Sequence, residues 1–255
     1  MIPKVIHYCW FGGNPPPESV KRCIKSWKEK CPNYKIIEWN ESNFDVTSHP
    51  FVKAAYEKKA WAFVSDYARL KVVYENGGFY LDTDVELLKT LDSLVGEKCY
   101  FGIQQEGFLV ATGLGFGAEK NNTIIRDMLK EYDNVEYIDD AREKIACPIL
   151  NTKVLEKRGF VKRNCVQKIG EVTVFSPEYF DPKSPWVNEN LMSKKTVSVH
   201  HYDASWSKEE NDKKLMFQRL YRFLPFKTAK ILGSILVTIK NSGVRGLIKK
   251  IKSKI

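Results

Sequence analysis

The spacing of apolar residues changes several times along the chain, and each change marks an element. Residues 2–10 form an apolar strand that runs into Phe11-Gly12-Gly13-Asn14 and three prolines, a segment that must turn sharply. Pro17-Glu18 opens a helix that Val20, Cys23, Ile24 and Trp27 carry to about Lys30, where Pro32-Asn33 stops it. Residues 34–39 form a second strand. Strand, loop, helix and strand in that order predict a βαβ unit and hence a parallel sheet. A single long helix is predicted over residues 51–76, with Ala54, Ala55, Trp61, Ala62, Leu70, Val73 and Tyr74 on its apolar face and Gly77-Gly78 as its stop. Strands follow at 79–81, 99–104 and 109–116, and a helix at 121–132 capped by Asn121 or Asn122. Shorter strands are predicted near 172–175 and 196–200, and a last regular helix at 208–223.

The strand at 79–81 ends in Asp82-Thr83-Asp84. In an extended segment residues i and i+2 share a face, so both carboxylates reach one hard cation while Thr83 points away. Oxygen-only ligands at the carboxyl end of a strand suit Mg²⁺ or Mn²⁺ holding a diphosphate. Such a pair is weak evidence alone, and three neighbouring groups strengthen it. Asp66 and Arg69 stand i and i+3 on the preceding helix, either as an intrahelical ion pair or as contacts to a sugar hydroxyl and a phosphate. Trp10 ends the first strand, where open α/β sheets bind ligands; its indole either stacks on a base or fills the core. His200-His201-Tyr202-Asp203-Ala204-Ser205-Trp206 follows an alternating strand and contains two of the four histidines, either a surface pair or a third metal ligand.

Composition narrows the class. A chain of 255 residues that is 43% hydrophobic suits one generous domain with an appendage. The net charge of +10 is concentrated at one end. Residues 213–255 hold 12 Lys and Arg and no Asp or Glu, leaving 29 basic residues against 31 acidic ones elsewhere. The body therefore offers no general nucleic-acid surface. The six cysteines form no CxxC pair and read as buried free thiols, which fits a reducing compartment. The amino-terminal run carries a lysine and reads as a strand, not a leader, and no apolar stretch is long enough to span a bilayer.

Three blocks in order, residues 2–13, 61–69 and 77–84, resemble the DXD-containing sugar-transferase family, which includes initiating α-1,6-mannosyltransferases and bacterial capsular-polysaccharide glycosyltransferases. The same blocks are similar to the glucosyltransferase domain of clostridial toxins. The resemblance implies a GT-A fold, an α/β architecture with a mainly parallel central sheet flanked by helices. It implies metal-dependent, retaining transfer of a hexose or N-acetylhexosamine from a nucleotide sugar, a UDP-sugar being favoured. Residue by residue, it implies that Trp10 stacks on the base and that Ser65, Asp66 and Arg69 bind the donor, with Tyr80 near the diphosphate. Asp82 touches ribose and metal, and Asp84 is the direct ligand of Mn²⁺ or Mg²⁺. Asp82, Asp84 and Arg69 carry the chemistry. His201 completes the metal shell, with His200 as the alternative, and Ser205 and Trp206 close over the diphosphate. No nucleophile is identified; Gln105 and Glu106 are the candidates for one.

The tail interleaves Leu232, Ile235, Leu236, Ile239, Val244, Leu247, Ile248 and Ile251 with lysines and is broken at Gly243 and Gly246. It reads as a basic amphipathic element for an anionic membrane surface or, alternatively, as a solvated tail. The expected organisation is a transferase domain at 1–223 and the tail at 224–255. The expected place is the cytoplasm, peripheral on the inner face of the cell membrane. The expected acceptor is a lipid-linked oligosaccharide of capsular, exopolysaccharide or O-antigen synthesis. A protein acceptor is the enzymatic alternative. A non-catalytic sugar-nucleotide-binding protein is the other; its mark would be loss of Asp82 or Asp84, and both are present.

Overall fold

The computed structural model describes residues 1–138, 142–185, 187, 189–203 and 208–252. In chain order the elements are β1 (Val5–Cys9), α1 (Glu18–Lys30), β2 (Lys35–Trp39), α2 (Pro50–Glu57), α3 (Trp61–Asn76), β3 (Gly78–Tyr80), β4 (Val85–Leu87), β5 (Cys99–Gly102), β6 (Phe116–Ala118) and α4 (Thr123–Tyr132). They continue with α5 (Arg142–Ile145), α6 (Cys147–Glu156), β7 (Gln167–Ile169), β8 (Val172–Phe175), α7 (Pro177–Phe180), β9 (Ser198–His200), α8 (Lys208–Tyr221) and α9 (Phe226–Lys252). The chain forms two compact units, Met1–His201 and Tyr202–Ile255.

In the first unit a seven-stranded sheet has the order β2-β1-β3-β6-β5-β8-β7. The pairs β1–β2, β1–β3 and β5–β8 are parallel, whereas β6 and β7 run against their neighbours. Five strands therefore share one direction, the mainly parallel α/β sheet expected from the βαβ start. Because β1 and β3 are parallel neighbours, the chain leaves both at the same edge, after Cys9 and after Tyr80. The entry to β3 is tightly specified. Gly78 has φ 109°, and a Cβ there would lie 2.8 Å from the Val5 carbonyl and 3.0 Å from His7 Nε2. His7 is fully buried between the Gly77 carbonyl, 2.9 Å from Nε2, and the Trp39 indole, which donates to Nδ1 at 3.0 Å. Burial holds its pKa below the usual value, so this histidine is a neutral tie between β1, β2 and the β3 entrance.

Two predicted elements differ from the structure, and the helix predicted as the last regular one is followed by α9. The helix over 51–76 is two helices, α2 and α3. Lys59, at φ 54°, lies between them, and the amides of Lys59 and Ala60 close back on Tyr56 and Ala55. The apolar period runs through the break, which is why the pattern alone joined them. The segment 109–116 is not a strand either. Val110 forms an isolated bridge to Ile103, Thr112–Leu114 is a 3₁₀ turn, and only Phe116 begins β6.

The helix α3 is buried nearly all round and carries Asp66 and Arg69 inside. Such a helix belongs to the core rather than to a surface. On the other side, α1 buries Val20, Cys23 and Trp27. The Trp27 indole donates to the Val85 carbonyl at 2.7 Å, and Ser26 Oγ accepts from the Leu87 amide at 3.0 Å. These bonds tether β4, which pairs antiparallel with β9 in a separate two-stranded sheet. The six cysteines are free, and all but Cys165 are buried. In the second unit α8 and α9 pack together, and the boundary drawn at 223/224 falls between them. No helix among the described residues is long and apolar enough to cross a membrane.

Candidate active site

The strand β3 ends at Tyr80, and the carboxylates that follow lie on a turn rather than on the extended segment expected. The Val85 amide donates to the Asp82 carbonyl at 3.0 Å and closes that turn. The two side chains still converge. Asp82, Asp84 and His200 each offer a ligand atom, and the three atoms lie within 4.8 Å of one another. The Asp84 carboxylate Oδ1 is 2.9 Å from His200 Nε2. Register explains the histidine: Val85 pairs with His200, and the His201 amide donates to the Asp84 carbonyl at 2.9 Å. The His201 ring goes instead to Glu86, with Nε2 2.9 Å from Oε2, and is well exposed. The structure thus brings His200, not His201, beside the two aspartates.

Behind this cluster lies a buried ionic network. The Arg69 guanidinium, only 4% exposed, reaches Asp66 through Nη1 at 3.1 Å and Asp82 through Nη2 at 3.0 Å. Its Nε donates to the Ser65 carbonyl at 3.1 Å, and its Cζ lies 5.1 Å from the centre of the Tyr80 ring. The Tyr80 hydroxyl donates to Asp82 Oδ1 at 2.9 Å. Asp66, Arg69 and Tyr80, read from the sequence as direct donor contacts, are therefore engaged with one another and with Asp82. Breaking a buried pair of this kind typically costs about 3–5 kcal/mol, because the remaining charge is stranded.

Side chains from further along the chain complete the support. Thr112 donates to Cys147 Sγ at 3.6 Å and accepts from the Asn151 amide at 3.0 Å; the same sulfur lies 3.5 Å from Arg69 Nη1. Gly113 stands so close that a Cβ there would lie 2.5 Å from Asp82 Oδ2 and 3.3 Å from Arg69 Nη1. Asp181, fully buried, accepts from the Gln105 amide at 2.7 Å, and its charge acts on His200. Gln105 is buried against it and Glu106 is exposed. At the end of β1, the half-buried Trp10 is fixed by a 2.6 Å bond from its Nε1 to the Asn14 carbonyl. Ser205 and Trp206 lie outside the described residues.

Burial pushes the Asp82 carboxyl up to about 6, and the Asp84 charge adds to this, while Arg69, His200 and the Tyr80 hydroxyl oppose it. Burial alone would lower His200, but the charge and hydrogen bond of Asp84 outweigh it and hold the imidazole above its usual value. For Arg69, burial is likewise overcome by Asp82, Tyr80 and Asp66, so it stays charged. The two carboxylates suit Mn²⁺ or Mg²⁺, and the imidazole favours the softer of the two, Mn²⁺.

Residues 17–101 match the family described as glycosyltransferase sugar-binding region containing DXD motif. The chain is 33% identical over 98 residues to inositol phosphoceramide mannosyltransferase 3 of Schizosaccharomyces pombe, covering 37% of this chain and 27% of that protein. It is 29% identical over 114 residues to an uncharacterized glycosyltransferase of Acanthamoeba polyphaga mimivirus, covering 40% and 43%. The chain thus spans less than half the length of these relatives. Among solved structures it is similar to the PaToxG glycosyltransferase, with 21% identity, 61% of this chain and 69% of that one covered, and a TM-score of 0.49. The matched segment contains Asp66, Arg69, Asp82 and Asp84; Trp10 and His200 lie outside it.

Two predictions follow from the geometry. Gly113→Ala forces the Asp82 carboxylate to move, so Mn²⁺ affinity measured by calorimetry falls at least about tenfold while the circular dichroism spectrum stays native; unchanged affinity would show that the close approach has no role. The second concerns protons. A raised Asp82 pKa means that the cation-free folded state binds a proton more tightly than the unfolded chain. That contribution to stability is complete below the unfolded value and lost as pH rises to about 6. His200, also raised, favours the protonated folded state in the same direction. Cation binding requires the deprotonated groups. Near pH 6, Mn²⁺ binding is expected to release protons, seen as different calorimetric heats in buffers of different ionisation enthalpy; equal heats would contradict it.

Proposed function

We propose that this chain is a metal-dependent, retaining glycosyltransferase that moves a hexose or N-acetylhexosamine from a nucleotide sugar, a UDP-sugar being favoured, to a lipid-linked glycan. The observation that carries the reading is the Asp82–Asp84–His200 cluster at the carboxyl end of β3, beside the edge where Trp10 leaves β1. Ligands of open α/β sheets bind at that edge. The match of residues 17–101 to a DXD sugar-binding region supports the chemistry. The name of the yeast relative couples a hexose to a lipid acceptor and supports the acceptor class. Capsular, exopolysaccharide or O-antigen assembly is the setting in which such an acceptor occurs.

Each residue then has a separable task. Asp82, Asp84 and His200 would hold Mn²⁺ or Mg²⁺, which when bound offsets the charge that gathers on the diphosphate as the anomeric bond breaks. The Trp10 indole offers a flat face to the base. Arg69 and Tyr80 fix Asp82 from behind, and Asp66 fixes Arg69. A nucleoside diphosphate needs no proton in order to leave, so the site needs no carboxylic acid aimed at the glycosidic oxygen. Departure and attack on one face of the sugar account for retention without a protein nucleophile.

Asp84→Ala is expected to lower transfer by at least about a hundredfold, with the circular dichroism spectrum still native. A calorimetric screen of UDP- and GDP-sugars with Mn²⁺ identifies the donor to use. Transfer that survives both a chelator and Asp84→Ala would refute the metal-dependent reading.

A further inference from the structure

The second unit is a helical pair with one face satisfied and the other open. On the inner face of α9, Ala229 and Val237 are buried. Gly233 lies against the backbone of Phe217 on α8, where a Cβ would meet the Phe217 amide nitrogen at 3.1 Å. Lys240 Nζ lies 3.5 Å from Asp212 Oδ2, a second tie between the helices. The hairpin therefore already has its own packing, and the rest of α9 is not needed for it.

That remainder is apolar and open. Ile231 is 62% exposed, Leu232 38% and Leu236 43%, with Ile235 and Ile239 half-buried beside them. Positions 232, 235, 236 and 239 follow the spacing of a single helical stripe. The backbone leaves helical geometry at Gly243, φ 64°, so the segment carrying the exposed Val244 and Ile248 sets off in a new direction. Phe223, in the connection between the helices, is 86% exposed. Residues 213–255 contain no acid to balance their 12 Lys and Arg. Arg222 and Arg245 are exposed near the apolar positions. An apolar stripe on a segment with this excess of positive charge suits a cover that is both apolar and negative.

We propose that α9 lies in the interface of an anionic lipid bilayer, with Leu232, Leu236 and Ile231 immersed and the basic residues at the headgroups. A bilayer supplies both properties at once. The helix lies in the surface rather than across it, since its apolar content is too low for a span. The inference stands apart from the reading of the active site, because it uses none of that site's residues.

The test is co-sedimentation of the full chain with vesicles of phosphatidylglycerol and phosphatidylcholine, compared with phosphatidylcholine alone. Binding is expected only with the anionic lipid and is expected to weaken steeply between about 0.1 M and 1 M salt. Arg222→Glu/Arg245→Glu and Leu232→Gln/Leu236→Gln alter exposed positions, and each should lower partitioning at least about tenfold, a basic residue near such a surface contributing roughly fivefold. Unchanged circular dichroism would show that both variants remain folded. Equal binding to neutral vesicles, no binding at all, or a dimer in light scattering that Leu232→Gln/Leu236→Gln abolishes without any vesicle binding would each overturn the proposal.

Discussion

The site depends on one buried cation. Arg69 sits inside α3 with its guanidinium shared between Asp66 and Asp82 and its flat face against Tyr80. A buried ion pair adds little net stability, since desolvation offsets most of the attraction. It does fix position. Asp82 is held from behind by Arg69 and Tyr80 and crowded by Gly113, and it is pushed towards protonation by burial and by Asp84. A carboxylate in that condition, with Asp84 and His200 within 4.8 Å, has the setting of a divalent-cation ligand.

The remainder of the first unit can be understood as the frame for that carboxylate. His7 ties β1 to the entrance of β3 and to Trp39, so the Asp82 turn leaves the sheet beside the end of β1. On the opposite side, Trp27 and Ser26 of α1 hold β4, and β4 sets the register of β9. That register delivers His200 to Asp84. The place of His200 beside Asp84 thus depends on Trp27 of α1, 173 positions earlier in the chain.

What was legible in the sequence was what local rules determine. The βαβ start, the glycine pair before β3 and the two aspartates all follow from turn chemistry and short-range spacing. The break between α2 and α3 was not legible, because it rests on Lys59 in a left-handed conformation within an unbroken apolar period. The choice between His200 and His201 was not legible either. A one-residue slip in a strand exchanges its faces, and this register is imposed by β4, a three-residue strand too short to announce itself. For Gly113 a signal existed: a glycine within an apolar strand-like run marks a close backbone approach. The same run also fits a strand, and the neighbour that the glycine admits, Asp82, is thirty-one positions away.

The most direct test of this account is pulsed electron paramagnetic resonance on bound Mn²⁺, which registers nitrogen from a coordinating imidazole. Histidine coupling is predicted in the unaltered protein and in His201→Ala, and its disappearance in His200→Ala. Coupling that survives His200→Ala and vanishes in His201→Ala would contradict the assignment, as would its absence from the unaltered protein.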